Sequence, residues 1–228
     1  MKKILSIVSL VAVFALILIA IATSSIKKPD FDTAVWTPAM TLGNPETAVR
    51  HYVVYTDLMC PYCNYYAKAI MDGGEEFEQF LAEHKILYEV RLTDMLYENG
   101  VEYSRPAAEA GYCAANTNQF WDFYHEAIYR IFTDYYSKGI GNSKTATPIK
   151  DLSLDYWVKI ASDAGVDSGF EDCLKSNKTQ SQVTANTYKA ATMASGLPYF
   201  AFGAKYTSGG FDSSWGWNVA KQMLSAGL

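Results

Sequence analysis

Cysteine is scarce in this chain: 228 residues contain four. Four are too few to staple together a small secreted toxin or growth-factor scaffold. Histidine is scarcer still, at three, and the three are scattered. No second C-x-x-C and no His pair stands opposite the one C-x-x-C, so a zinc site lacks its ligands. Positive charge is in deficit as well. Nineteen Lys and Arg face 24 Asp and Glu, for a formal net charge of −5 and a pI of about 5.2. That balance leaves no basic surface for phosphate backbones and excludes nucleic-acid binding as the main role. Beyond about residue 44 there is no internal repeat and no low-complexity block, which excludes solenoids.

The residues present describe a folded chain: 50% hydrophobic and 19% charged, enough for one substantial domain or one domain carrying an insertion. Seventeen tyrosines exceed what packing alone needs. Tyrosine suits surfaces that hold peptides, because its ring is apolar and its tip is wet. Lys2 and Lys3 precede an uncharged apolar or small run, Ile4 to Ala22. As a helix it would span roughly 28 Å, close to a bilayer core. Ala20-Ile21-Ala22 also has the small-x-small form of a cleavage site. Residues 1–25 are therefore expected to be a signal peptide or a retained membrane anchor, and both export the rest of the chain. Residues 26–44 read as a tether.

Arg50–Thr56 (RHYVVYT) is β-branched and aromatic and predicts a buried strand. Cys60-Pro61-Tyr62-Cys63 comes directly after it, with a helical pattern running to about His84. Ile86–Leu92 (ILYEVRL) predicts a second strand. Residues 94–176 read as helical. Arg105-Pro106 opens one helix around Cys113, and Trp121, Tyr124 and Ile128 mark another at i, i+3 and i+7. Ser153 caps a third, and Ser168 with Glu171 forms a capping box for a short helix bearing Cys173. Residues 179–194 predict a further helix, Tyr199–Phe202 a strand turning into 205–207, and 212–226 a terminal helix.

The chemistry centres on the strand-to-helix junction. A cysteine at a helix N-terminus faces unpaired N–H groups and the positive end of the macrodipole, which favour a thiolate at Cys60. Pro61 in the first turn loses no needed hydrogen bond. Cys60 is expected to be the exposed nucleophile, and Cys63 lies one turn inside, shielded, close enough to close a disulfide or attack a mixed one.

Thr41-Leu42-Gly43-Asn44-Pro45-Glu46-Thr47-Ala48-Val49, then VVYTD and CPYC, AGYCAANTNQFWDFYHEAIY, FEDCL and GLPYFAFGAKYTSG together resemble the DsbA-like thiol-disulfide oxidoreductases. The resemblance covers nearly everything from residue 41 onward. It implies an α/β thioredoxin-like fold, residues 45–93 and 177–228, interrupted by a helical insertion, 94–176. It implies catalysis by Cys60 and Cys63 with Pro61, Tyr62 and Pro198, the last as the cis-proline that faces the disulfide. Leu197, Met59 and Tyr199 flank the two loops as substrate-binding residues; Met59, Leu58, Tyr62, Tyr199 and Phe200 either form an apolar rim there or are ordinary packing. Cys113 and Cys173 stand where exported relatives form a second, structural disulfide. No metal or organic cofactor is implied. The partners implied are exported polypeptides with free thiols and a membrane-embedded, quinone-linked reoxidant, served by a monomer outside the cytoplasm. The sequence departs from the family at three places. Val54 replaces a carboxylate six residues before Cys60, with Asp57 either its substitute or an ordinary surface turn residue. Tyr62 replaces a histidine, and Leu197 a threonine. The last two changes point to a less oxidising couple. A reductase or isomerase of the same fold, and a non-enzymatic binding module, remain alternatives.

Overall fold

The computed structural model describes residues 37–143, 145–166, 169–202 and 205–228. Strand β2 (Arg50–Thr56) lies parallel to β3 (Ile86–Leu92) on one side and antiparallel to β4 (Tyr199–Phe202) on the other. The short β1 (Thr41–Leu42) adds antiparallel to β3, and β5 (Lys205–Ser208) adds antiparallel to β4, giving the order β1-β3-β2-β4-β5. The β1 pairing corrects the reading of residues 26–44 as tether throughout. Thr41 faces Glu89, and Met40 just ahead of it is buried.

Alternation along β2 explains why it reads as a continuous apolar run: both faces are covered. Tyr52 and Val54 look into the larger core, where Tyr52 stacks on Phe202 at 4.8 Å. Helices α1 (Pro61–Asp72) and α2 (Gly74–Glu83), which link β2 to β3, share this core with the C-terminal α8 (Trp217–Ser225). Val53 and Tyr55 look the other way, against Tyr199 and Ala190 of α7 (Gln180–Met193). The α7 face also carries buried charge. Arg91 donates to both oxygens of Glu89, at 2.7 and 3.0 Å, and to the Tyr55 hydroxyl at 2.9 Å, while His51 approaches Glu89 at 2.6 Å.

The insertion contributes α3 (Ser104–Asn116), α4 (Phe120–Asp134), α5 (Leu154–Asp163) and α6 (Gly169–Lys175). Their apolar faces join the larger core through Cys113, Phe123, Ile128, Trp157 and Phe170. A disulfide joins Cys113 on α3 to Cys173 on α6, with an S–S length of 2.06 Å, Cα atoms 5.7 Å apart and a sequence separation of 60.

Two helices are shorter than the sequence suggests. The pattern from 61 to 84 breaks at Gly73-Gly74, where Gly74 takes φ +46; a Cβ on Gly73 would also lie 2.7 Å from the Trp217 ring. The terminal helix starts at Trp217 rather than 212. Asp212 instead accepts from the N–H and hydroxyl of Ser214, an Asx-type turn that competes with helix. Residues 1–25 and Ser168 of the proposed capping box lie outside the described residues. Among the described residues no helix is long and apolar enough to cross a membrane.

Candidate active site

The central strand delivers the dithiol. β2 ends at Thr56, the chain turns through Asp57-Leu58-Met59, and Cys60 becomes the N-cap of α1 with an extended backbone (φ −93, ψ 119) and Pro61 in the first turn. The Cys60 N–H donates to the Asp57 carbonyl at 2.9 Å, and its own carbonyl accepts from Asn64 N–H at 3.0 Å. The Cys60 sulfur faces the Leu197 carbonyl at 3.8 Å, across 137 residues of sequence. The Leu197–Pro198 peptide bond is cis. Gly209 N–H donates to the Pro198 carbonyl at 3.3 Å, so the end of the β4–β5 pair ties down the residue just before β4. Cys60 and Cys63 are both free cysteines, not joined to each other.

The two sulfurs differ less in exposure than in electrostatics. Cys60 is 5% exposed and Cys63 1%, which corrects the picture of an open Cys60 beside a shielded Cys63. Burial pushes the Cys63 thiol well up, and its hydrogen bond to Cys60 and the Cys60 charge add to this. The Thr56 side chain and the Asp57 N–H act in the opposite direction. Behind the pair lies Asp57, wholly buried, which corrects the alternative of a surface turn residue. Its Oδ1 accepts from Met59 N–H at 2.9 Å, and its Oδ2 from Leu96 N–H at 3.1 Å and the Ser104 hydroxyl at 2.5 Å. Burial raises its carboxyl to about 6 against those three hydrogen bonds. Asp57 thus ties the turn before Cys60 to the first residues of the insertion.

The remaining sequence-derived residues divide. Tyr62 is 47% exposed beside Cys60, with Gly210 close against its ring, and Leu197 is half-buried. Met59, Tyr199, Leu58 and Phe200 are all buried, so the apolar rim does not form as expected. Their alternation fits sheet and turn packing, and Met59 reaches solvent only at the edge of a cleft of about 390 Å³ lined by Val101, Tyr103 and Ile149. Val54 pairs with Val90 and Phe200, and no acid stands in its place. His125 is exposed against Tyr129, and Trp217 packs edge-on to Phe77. Among the described residues no group of His, Cys, Asp and Glu is arranged to hold a metal.

Sequence reasoning missed three groups here. Ser104 and Tyr136 reach the site only through the folded insertion, and no local pattern marks them. Tyr124, which carries the periodicity of α4, also turns its hydroxyl to Thr56 near Cys63. It is a core residue and a site neighbour at once.

The thioredoxin family profile matches residues 37–197, and the chain belongs to that family. Its fold is that of the DsbA, MdbA and BdbD structures. BdbD from Bacillus subtilis (oxidised) superposes with a TM-score of 0.60 at 15% identity, over 82% of this chain and 91% of its own. MdbA from Actinomyces oris, a thiol-disulfide oxidoreductase, gives 0.59 at 16% identity, over 82% and 86%. The reduced form of the disulfide bond oxidoreductase DsbG from Mycobacterium tuberculosis gives 0.52 at 19%, over 71% and 76%. No curated protein sequence matches the chain.

Proposed function

We propose that this protein is an extracytoplasmic thiol-disulfide oxidoreductase that introduces disulfides into exported polypeptides through Cys60 and Cys63. The observation that carries the reading is the Cys60 sulfur beside the Leu197 carbonyl, with Cys63 buried one turn behind. A peptide laid along Leu197 in extended form would bring its cysteine to that sulfur. In the disulfide form of the enzyme, a substrate thiolate attacks Cys60 Sγ. The Cys60–Cys63 bond breaks, and Cys63 leaves with the electron pair. Because burial favours the protonated form of Cys63, it takes a proton and is slow to attack in return. A second substrate thiolate then attacks the substrate sulfur of the mixed disulfide and expels Cys60 as thiolate. The substrate loses two electrons and the enzyme ends as the dithiol. A membrane-embedded, quinone-linked oxidant would return it to the disulfide. Neither metal nor organic cofactor takes part.

Tyr62 supplies no imidazolium and Leu197 no hydroxyl, so the couple should be weaker than the strongest oxidants of this fold. A glutathione titration of residues 26–228 should give a potential above the approximately −270 mV of thioredoxin and below the approximately −120 mV of DsbA. A value under that of thioredoxin would sink the oxidase direction and favour a reductase.

A further inference from the structure

A ring of neighbouring groups closes around the Cys60 sulfur. Across the gap stands the Leu197 carbonyl, 3.8 Å away. The Pro198 carbonyl accepts from Gly209 N–H at 3.3 Å. The next residue, Gly210, returns to the head of α1: a Cβ built on it would rest 3.6–3.7 Å from three atoms of the Tyr62 ring. Tyr62 follows Cys60 by two residues and completes the ring.

Tyr62 is the member of this ring left uncovered. Tyr62 and Tyr66 stand at i and i+4, one turn apart on the same face of α1. Tyr66 is buried, with the Phe200 and Phe211 rings at centroid distances of 4.7 and 5.5 Å. Over Tyr62 the chain passes as the bare backbone of Gly210, and the ring stays 47% exposed. Phe211 then turns fully inward. The glycines beside it have no internal reason to be glycine. Elsewhere the chain supplies one: Gly100 takes a left-handed φ of +87, and at Gly111 a Cβ would lie 2.1 Å from the Leu92 side chain. Gly196, Gly209 and Gly210 keep φ outside the left-handed region, and a Cβ on Gly196 or Gly209 would meet no atom within 4 Å. All three border the cis Leu197–Pro198 bond or the strand end tied to it. Room kept free in this way suits the close approach of another main chain.

We propose that Tyr62 and Gly210 form the specificity subsite for one large apolar side chain beside the substrate's reacting cysteine, while Gly196 and Gly209 clear the path of its backbone. The inference rests on the reading of Cys60 and Cys63 as an oxidoreductase dithiol, and it names the substrate class: extended polypeptides with an aromatic or long aliphatic residue next to the cysteine. The occupant is a polypeptide because it must bring a thiol to Cys60 and fit between bare backbone and an open ring. A ring with an apolar face gains by taking such a side chain out of water.

Single-turnover oxidation of two dithiol peptides by the oxidised chain tests this. The peptides are glycine-rich and identical, except that either Phe or Gly flanks the first cysteine. The native chain should favour the Phe peptide about tenfold in kcat/KM, the yield of burying one large apolar side chain. In Gly210→Leu the new side chain lies on the Tyr62 ring and takes the place of the substrate residue. The preference should vanish while the melting temperature holds or rises. Gly209→Leu should slow both peptides several-fold more than it slows oxidation of dithiothreitol, which has no flanking chain. The same enlargement at Ala185, exposed on α7, should alter none of these. A native chain without the preference, or a Gly210→Leu chain that keeps it, overturns the proposal. So does equal slowing of peptides and dithiothreitol by Gly209→Leu. Binding separates the subsite from the reading beneath it. With serine in place of its cysteines the Phe peptide cannot react, yet by fluorescence anisotropy it should bind the native chain more tightly than it binds Gly210→Leu. Such binding with no oxidation of any thiol would refute the oxidoreductase reading and uphold the subsite.

Discussion

Cys60 and Cys63 sit one helical turn apart and are both buried, so what sets Cys63 apart is the burial that holds its proton on. Cys60 opens toward Leu197, and Cys63 is enclosed by Thr56 and the Asp57 backbone. A Cys63→Ala protein offered a disulfide-containing peptide should accumulate a mixed disulfide through Cys60, visible as a mass adduct. Cys60→Ala should trap several-fold less. Equal trapping by the two variants would falsify this division of labour and recast the pair as a structural bridge. Asp57 carries a separate signature at the same scale. Its carboxyl is raised to about 6 from an ordinary 3.8, so the folded chain holds that proton more tightly than the unfolded chain does. The penalty for burying the charge is therefore absent below about pH 4, grows as pH rises, and is complete above about pH 6. At 1.36 kcal/mol per unit it amounts to roughly 3 kcal/mol. Denaturant melts between pH 4 and 6 should show stability falling as pH rises, and Asp57→Asn should flatten that slope. Asp72, Asp163 and Asp212, whose carboxyls are lowered, work in the opposite sense, losing their stabilisation below that window.

Among the elements, α3 and α6 are the pair whose association is covalent. The Cys113–Cys173 disulfide closes a 60-residue separation that spans α4 and α5, so in the reduced chain those two helices must find their places without the cross-link. Chain-entropy arithmetic puts the closure at roughly 4 kcal/mol, a model-dependent figure. Replacing both cysteines with Ala should lower the melting temperature by about 10 °C for a domain of this size. The rate of dithiol oxidation should change little, because the bridge sulfurs lie beside Thr179 and Asn116 and belong to the packing of α3 on α6. Loss of activity at unchanged melting temperature would mean the structural role has been given to the wrong pair. The helices were legible where one local force dominates: the periodicity of α4 and the apolar face of α5 are written in their residues. The break at Gly73-Gly74 shows in the sequence only as two adjacent glycines inside a continuous helical pattern, and it lies in the left-handed backbone of Gly74. The retreat of α8 to Trp217 stems from Asp212 and Ser214, whose side chains are content either as a helix start or as a turn.

For the molecule as a whole, the order of elements and the place of the dithiol could be read directly, since a strand running into C-P-Y-C and a late Leu-Pro before another strand are local patterns. What supports the site could not. Asp57 reads as a turn residue until Ser104 and Leu96 fold over it, Met59 and Tyr199 read as rim until the sheet buries them, and β1 was hidden inside a stretch that composition marks as tether. The sheet order carries one more consequence. β2 sits in the middle, yet its neighbours come from opposite ends of the synthesis schedule: β3 is made almost at once, whereas β4 and the Leu197 carbonyl come only after the entire insertion. As the chain emerges N-terminus first, one edge of β2 stays bare and the Cys60 sulfur lacks its opposing wall until residues 197–202 appear. Only the finished chain has the Leu197 carbonyl opposite that sulfur, where the proposed substrate strand would lie. A nascent molecule of this protein is thus itself a thiol-bearing, half-made sheet, the kind of chain its completed copies would be built to receive.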